Sequence, residues 1–67
     1  MSVAKITEIS ASSPKSFADA IQRGIARASK TLQGIEGAWI KGQKVTVKNN
    51  RISEYRVDMK VTFILKD

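Results

Sequence analysis

The most regular pattern in this chain is an alternation of apolar and polar residues toward its C-terminal end. A period of two predicts a β-strand with one buried face and one face that meets water or a polar partner. We place this strand at residues 52–65. Its buried face is predicted to carry Tyr55, Val57, Met59, Val61, Phe63 and Leu65. The opposite face is predicted to carry Glu54, Arg56, Asp58, Lys60 and Thr62.

Earlier in the chain, apolar residues recur at steps of three and four, which is the period of an amphipathic helix. The apolar stripe consists of Phe17, Ala20, Ile21, Gly24, Ile25, Ala28 and Leu32. It predicts a helix of about 20 residues. Two starts fit: Ser13 as N-cap with Pro14 at the first helical position, or Ser16 with Asp19 three residues later. Gly34 is predicted to stop the helix.

Two further strands complete the predicted secondary structure. Residues 3–10 are rich in β-branched side chains and predict the first strand, and residues 38–48 are predicted to form the second. Asn49 and Asn50 tolerate positive φ and predict a hairpin turn into the C-terminal strand. The fold class is therefore α+β with the order β-α-β-β, in one domain spanning residues 1–67. We expect a three-stranded antiparallel sheet wrapped on one helix, with the C-terminal strand between the other two.

The length of the C-terminal strand favours self-association. About 14 residues of strand extend ~46 Å, whereas a helix of about 20 residues spans only ~30 Å. Some of Tyr55, Met59, Phe63 and Leu65 must therefore extend beyond the helix. A chain of 67 residues without cysteine also has a marginal core and no disulfides to reinforce it. The two outer strands have free edges that can pair with another chain, so we expect a homo-oligomer.

Composition argues against an enzyme and against a metal site. The chain has neither histidine nor cysteine. Its six carboxylates show no metal-ligand or paired acid–base spacing, and its four glycines form no phosphate-binding loop. We therefore expect a binding protein with no catalytic residues and no metal ligands.

The charge of the chain adds a preference for anions. Twelve basic and six acidic residues give a net charge of +6, which attracts phosphate-bearing ligands and nucleic acids alike. Only four aromatic residues are present, and two or three of them are needed for the core. A stacking platform for nucleic acid is therefore not expected.

No feature of the chain indicates a membrane or an export signal. The first five residues are too short and too mixed for a signal peptide, and no apolar run approaches the ~20 residues of a membrane span. We expect a cytoplasmic protein.

Five short segments, taken in order, resemble the dodecins over nearly the whole chain. They are VAKITE at 3–8, SSPKSF at 12–17, ARASKTL at 26–32, SEYRV at 53–57 and KVTF at 60–63. The resemblance implies a hollow homo-oligomer of twelve subunits that stores or sequesters flavin as riboflavin, lumichrome or flavin mononucleotide. Some dodecins bind coenzyme A, and a minority branch lacks the stacking aromatic and is linked to other ligands, including calcium. A shell that binds coenzyme A, a nucleotide or a cation is therefore the alternative.

The resemblance also implies where a flavin would lie. In flavin-binding dodecins a tryptophan near the start of the second strand stacks on the flavin, and a glutamine on the third strand bonds its polar edge. An ungapped count back from Tyr55 places Gly37 at the tryptophan position and Arg56 at the glutamine position, so both residues depart from the family pattern. Trp39, two residues after Gly37, shares its strand face if no bulge intervenes.

Each candidate site residue has a second interpretation. Trp39 can stack on a flavin, it can be a core or interface aromatic, or it can be a side chain that is simply exposed. A bulge at Gly42 would change the face it occupies. Arg56 can donate to a carbonyl edge, or it can join an ion-pair network with its neighbouring carboxylates. Lys44 is a candidate for a phosphate and Gln43 for the ring edge, although both residue types are ordinary on a solvated strand.

Overall fold

A computed structural model describes residues 3–65 and contains four elements of secondary structure. They are β1 (Val3–Ser13), α1 (Phe17–Ala28), β2 (Ile35–Lys48) and β3 (Arg51–Leu65). The sheet has the order β1-β3-β2, and β3 is antiparallel to both neighbours. This architecture confirms the predicted β-α-β-β order and the central position of the C-terminal strand. It follows that β1 and β2 are the edges of the sheet.

The helix begins at the later of the two predicted starts. Ser16 is the N-cap, and its hydroxyl accepts a hydrogen bond from the Asp19 backbone N–H at 3.0 Å. The start at Ser13 and Pro14 is wrong because Ser13 is the last residue of β1, where it pairs with Tyr55. Strand β1 is accordingly three residues longer than the alternation of its side chains predicts.

The helix is also shorter at its C-terminal end, and the expectation of about 20 residues is wrong: α1 has 12. Its C-cap is Ser29, whose hydroxyl donates to the Ala26 carbonyl, and the Thr31 hydroxyl donates to the Ala28 carbonyl. Such bonds compete with helix continuation. Gly34 does not stop the helix but turns the chain into β2, with a φ of 75° that favours glycine.

The hairpin has the predicted turn but a longer second strand. Asn49 and Asn50 have φ values of 52° and 61°, as a tight turn between twisted strands requires. Strand β2 begins at Ile35 rather than at residue 38. A register shift between Ile35 and Gly37 interrupts the alternation of side chains at this point. The sequence pattern therefore does not predict the first residues of β2.

The core lies between α1 and the face of β3 predicted to be buried. Val57, Met59 and Val61 are fully buried together with Ala20 of the helix. Gly24 allows the close approach of helix and sheet, because a Cβ at this position would come within 2.9 Å of the Met59 Cε atom. The partly buried residues around this cluster are Ile9, Ala11, Phe17, Ile21, Ile25, Ile35 and Ile40.

The sheet extends well beyond the helix, as the strand length predicts. A helix of 12 residues spans about 18 Å, whereas the subunit is 51 Å long. Met59 and Phe63 are nevertheless buried, whereas Leu65 is exposed at the far end of β3. The apolar side chains left exposed near the hairpin turn are Val45, Val47 and Ile52.

A polar cluster closes the corner between β1 and α1. The buried Ser13 hydroxyl donates to the Asp19 carboxylate and accepts from the Lys15 backbone N–H at 3.0 Å. Arg23 pairs with the same carboxylate at 2.7 Å, one helical turn along. The Ser13 hydrogen bond, opposed by desolvation and assisted by the charge of Arg23, lowers the pKa of Asp19 from its ordinary 3.8.

This lowered pKa predicts a loss of stability in acid that depends on Asp19. Because the folded-state pKa lies below the unfolded one, the stabilisation is complete above about pH 4 and is lost as the pH falls through the folded value. The Asp19→Asn variant should be less stable than the wild type at pH 7, and the difference should shrink toward pH 2. Urea unfolding at pH 7 and at pH 2 measures the stability difference between the two proteins. A difference that does not change with pH would contradict the lowered pKa of Asp19.

Candidate ligand-binding face

The sheet face opposite α1, here called the outer face, is free of helix packing. On β3 it carries the residues that alternate with the buried core. The cross-strand register then assigns β1 and β2 side chains to the same face, because directly paired residues point to the same side. One row across the sheet consists of Glu8, Lys60 and Trp39. The polar alternation in the sequence thus becomes a continuous surface built from all three strands.

Trp39 is the most prominent side chain of the outer face. It pairs with Lys60 of β3 and is 67% exposed. The Lys60 ammonium lies over its ring, 5.6 Å from the ring centroid. The interpretation of Trp39 as a core aromatic is therefore excluded within one subunit. Three interpretations remain: a contact with another copy of the chain, a stacking surface for a ligand, and a side chain that is simply exposed to solvent.

A bulge in β2 decides which candidate residues share this face. The register shifts between Ile40 and Gly42, so that Gly42 pairs with Asp58. The suspected bulge is thus present, but Gly37 and Trp39 both still oppose outer-face residues of β3. Lys44 follows Gly42 on the outer face and pairs with Arg56. The candidates on the outer face are Gly37, Trp39, Lys44 and Arg56.

Gln43 is the one candidate that the structure separates from the others. It pairs with Val57, a core residue, and therefore lies on the helix side of the sheet. Within one subunit its amide is on the opposite face from Trp39. A contact from Gln43 to a ring stacked on Trp39 would have to come from a neighbouring subunit.

The position of Gly37 leaves open space beside the indole. Gly37 pairs with Thr62, one row from Trp39, and a Cβ at this position would meet no atom within 4 Å. A flat group can therefore approach the backbone of the sheet at this position without a steric clash. On β2 the row beside Trp39 therefore carries no side chain.

Arg56 takes part in the ion pairing that its neighbours predict. Its Nη2 atom donates to the Glu54 Oε1 atom at 3.1 Å, and both side chains are substantially exposed. An exposed pair of this kind contributes about 0–1 kcal/mol. Arg56 can therefore exchange the carboxylate for a ligand oxygen at little cost. Arg56 lies four residues from Lys60 on β3, which is about 13 Å along the strand.

Two features of this face were not predicted from the sequence. The Lys41 ammonium reaches across the central strand and pairs with the Glu8 carboxylate at 3.0 Å. The contact between Lys60 and Trp39 is the second. Both contacts depend on the bulge, because it adds Lys41 to β2 and sets the row in which Trp39 lies. The alternation of β3 places Lys60 on the polar face but says nothing about its cross-strand neighbour.

Elsewhere in residues 3–65 the structure has a groove but no cluster of metal-ligating side chains. Within residues 3–65, no three acidic side chains approach closely enough to hold a metal ion. No helix in this part of the chain is long and apolar enough to cross a bilayer. A groove of about 450 Å³ lies between β1 and α1, and none of the predicted site residues lines it.

Comparison with known proteins agrees with this geometry. The family model of the dodecins matches residues 3–66. A dodecin from Streptomyces davaonensis is 30% identical with a TM-score of 0.95, covering 98% of this chain and 97% of that one. A mutant of the Thermus thermophilus dodecin is 31% identical with a TM-score of 0.95, and all of both chains is covered.

A third similar structure is that of a calcium-chelating dodecin. The calcium dodecin of Mycobacterium tuberculosis, which has a novel calcium-binding site, is 28% identical with a TM-score of 0.83. The match covers 96% of this chain and 91% of that protein. A search of curated proteins finds no significant match to the chain.

The fold and the outer face define a class of small α+β subunits, in which one helix covers one side of a three-stranded sheet and the other side stays free. The match over residues 3–66 and the structural relatives specify the family within that class. The chain belongs to the dodecin family. Dodecins are small-ligand-binding proteins that form oligomeric shells.

Proposed function

We propose that this dodecin is a non-catalytic, cytoplasmic storage or sequestration protein for flavin. In this proposal riboflavin, lumichrome or flavin mononucleotide stacks on Trp39 at a subunit interface of a homododecamer. The observation that carries the proposal is the exposed indole of Trp39 on the outer face, beside the open space at Gly37. A large aromatic side chain left in water gains from covering its flat surface, and a planar ring covers it most completely.

The polar requirements of a flavin are met only in part by the same face. A flavin ring presents an edge with both acceptor oxygens and a donor N–H. Arg56 can donate to the oxygens but cannot accept from the N–H, which a glutamine would do. We therefore propose a pose shifted along β2 relative to the family pattern, in which stacking on Trp39 contributes more than the recognition of the ring edge.

The oligomeric part of the proposal rests on the apolar surface left uncovered in one subunit. Val45, Val47 and Ile52 are exposed on the part of the hairpin that extends beyond α1. Both β1 and β2 also present free edges, which natural proteins usually cover or pair. Assembly into a closed shell of twelve copies would bury these surfaces and leave no edge for open-ended aggregation.

Replacement of Trp39 by alanine tests the flavin proposal. Titration of riboflavin, lumichrome and flavin mononucleotide into the wild type should quench flavin fluorescence, because the stacked indole deactivates the excited ring. The Trp39→Ala variant should bind about tenfold more weakly, which corresponds to ~1.4 kcal/mol of lost stacking. Trp39→Phe retains a flat ring and should bind with intermediate affinity. Undiminished affinity in Trp39→Ala would show that the flavin, if bound, lies elsewhere.

A phosphate-bearing ligand such as coenzyme A or a nucleotide is the second candidate, and the charge of the outer face favours it. Lys44 and Arg56 pair across the strands on this face, and Lys48 and Arg51 pair next to the turn. These four cationic groups lie along the β2–β3 hairpin and attract a polyanion. If the protein binds coenzyme A but does not quench flavin fluorescence, the phosphate-bearing ligand is favoured over flavin. Removal of the phosphate groups from coenzyme A should then abolish its binding.

A further inference from the structure

The contact between Lys60 and Trp39 bears on which ligands the indole accepts. The ammonium group lies over the ring at 5.6 Å from the centroid, a distance typical of a cation–π interaction. One face of the indole ring is thus already occupied by a positive charge. A ligand that stacks on this face must displace the ammonium or accommodate it at its own rim.

The surrounding charges leave Lys60 available for such a role. Its cross-strand neighbour on β1 is Glu8, the nearest candidate for an ion pair. The Glu8 carboxylate is instead bound by Lys41 at 3.0 Å, across the central strand. Asp58 lies in the next row, opposite Ser10 and Gly42. The Lys60 ammonium lies over the indole instead.

We propose that Lys60 makes the Trp39 site selective for planar aromatic ligands that carry a negative charge on or next to the ring. This inference rests on the proposed stacking function and specifies its ligand class. A neutral ring that displaces Lys60 stacks on the indole but removes the cation–π contact and gives the ammonium no charged partner in return. A ring with an adjacent carboxylate or phosphate removes the same contact but gives the ammonium an ion pair. A cationic ring meets like charge and is rejected.

Two flavins that differ by one charge test this selectivity in the assembled protein. Lumiflavin carries a methyl group at N10, and 10-carboxymethylflavin carries a carboxylate one carbon from the same atom. The wild type should bind the carboxymethylflavin roughly two- to fivefold more tightly, as expected for one exposed ion pair. Both affinities are read from the quenching of flavin fluorescence at low salt, and added salt should reduce the preference.

Three variants separate selectivity from a general effect on the fold. Lys60→Met keeps the length of the side chain without its charge, so it should abolish the preference and bind lumiflavin roughly two- to fivefold more tightly. Lys60→Arg retains the charge and should retain the preference. Lys30→Met removes a lysine from the turn that follows α1, away from the outer face, and should behave as the wild type.

The possible results distinguish this inference from the function on which it rests. Equal affinities for the two flavins in the wild type, or a preference that survives Lys60→Met, would overturn the role of Lys60 while leaving flavin binding intact. If neither flavin binds and Trp39 fluorescence does not change, both the stacking function and the selectivity are wrong.

Discussion

Replacement of Met59 by alanine is expected to lower the free energy of unfolding by about 2–5 kcal/mol, the range typical of truncating a fully buried side chain. Met59 is fully buried at the centre of β3 and pairs with Ile9 and Ile40 on the two flanking strands. Its terminal methyl also packs closely against Gly24 of the helix. One side chain therefore connects all four elements, and its loss leaves a cavity between helix and sheet.

Urea unfolding followed by circular dichroism measures this effect. It should be done at one fixed protein concentration, because subunit association contributes to the apparent stability. Met59→Leu is the matched control, since it preserves most of the volume and should cost less than about 1.5 kcal/mol. If the alanine and leucine variants unfold at the same urea concentration, the volume at this position does not determine the stability of the core.

Replacement of Gly37 by tryptophan is expected to raise flavin affinity by roughly thirtyfold to one hundredfold. By resemblance, Gly37 occupies the position of the family's stacking tryptophan, and a side chain there would meet no atom within 4 Å. An indole face covers roughly 100 Å² of a planar ligand, worth about 2–2.5 kcal/mol at 25 cal/mol per Å². Favourable ring geometry adds to this value.

The control for this gain is a tryptophan placed at the other open glycine of the outer face. A side chain at Gly42 would also meet no atom within 4 Å, and Gly42 lies beyond the bulge, beside Asp58. Gly42→Trp should raise flavin affinity much less than Gly37→Trp. Equal gains would indicate nonspecific adsorption to any added indole. No gain at Gly37 would show that the outer face of this chain does not accept the family's flavin pose.

The contrast between Gly37 and Trp39 defines how this chain differs from the pattern its family resemblance implies. In the proposed site the stacking residue is Trp39, two positions along β2 from Gly37 and on the same sheet face. The donor–acceptor residue expected on β3 is replaced by Arg56, which only donates. Both changes favour recognition by flat apolar contact and positive charge over recognition of a neutral polar edge. This combination links the proposed flavin function to the charge selectivity assigned to Lys60.

Several elements follow from the sequence because short-range periodicity reports which face of an element is buried. The alternation in β3 predicted the buried residues Val57, Met59 and Val61, and the structure buries all three. The asparagine pair at 49–50 predicted a turn with positive φ at both positions. These predictions depend only on steric preferences of the local backbone and on the burial of one face, so the rest of the fold does not alter them.

The length of the helix is where local reasoning was wrong. The apolar stripe continues to Leu32, but α1 ends at Ala28 because the hydroxyl groups of Ser29 and Thr31 bond to the last helical carbonyls. Leu32 is still partly buried in the turn that follows. The same apolar spacing therefore continues from the helix into the turn, and the spacing alone does not show where the helix ends.

The sequence by itself determined the order of the elements, the buried face of β3 and the polar residues on the opposite face of that strand. Only the tertiary structure decided how those residues are grouped. The bulge between Ile40 and Gly42 places Trp39 opposite Lys60 and puts Gln43 on the helix side. One extra residue in a strand changes the facing and the cross-strand partners of the residues around it. Such pairings depend on register between distant segments, and local periodicity contains no information about register.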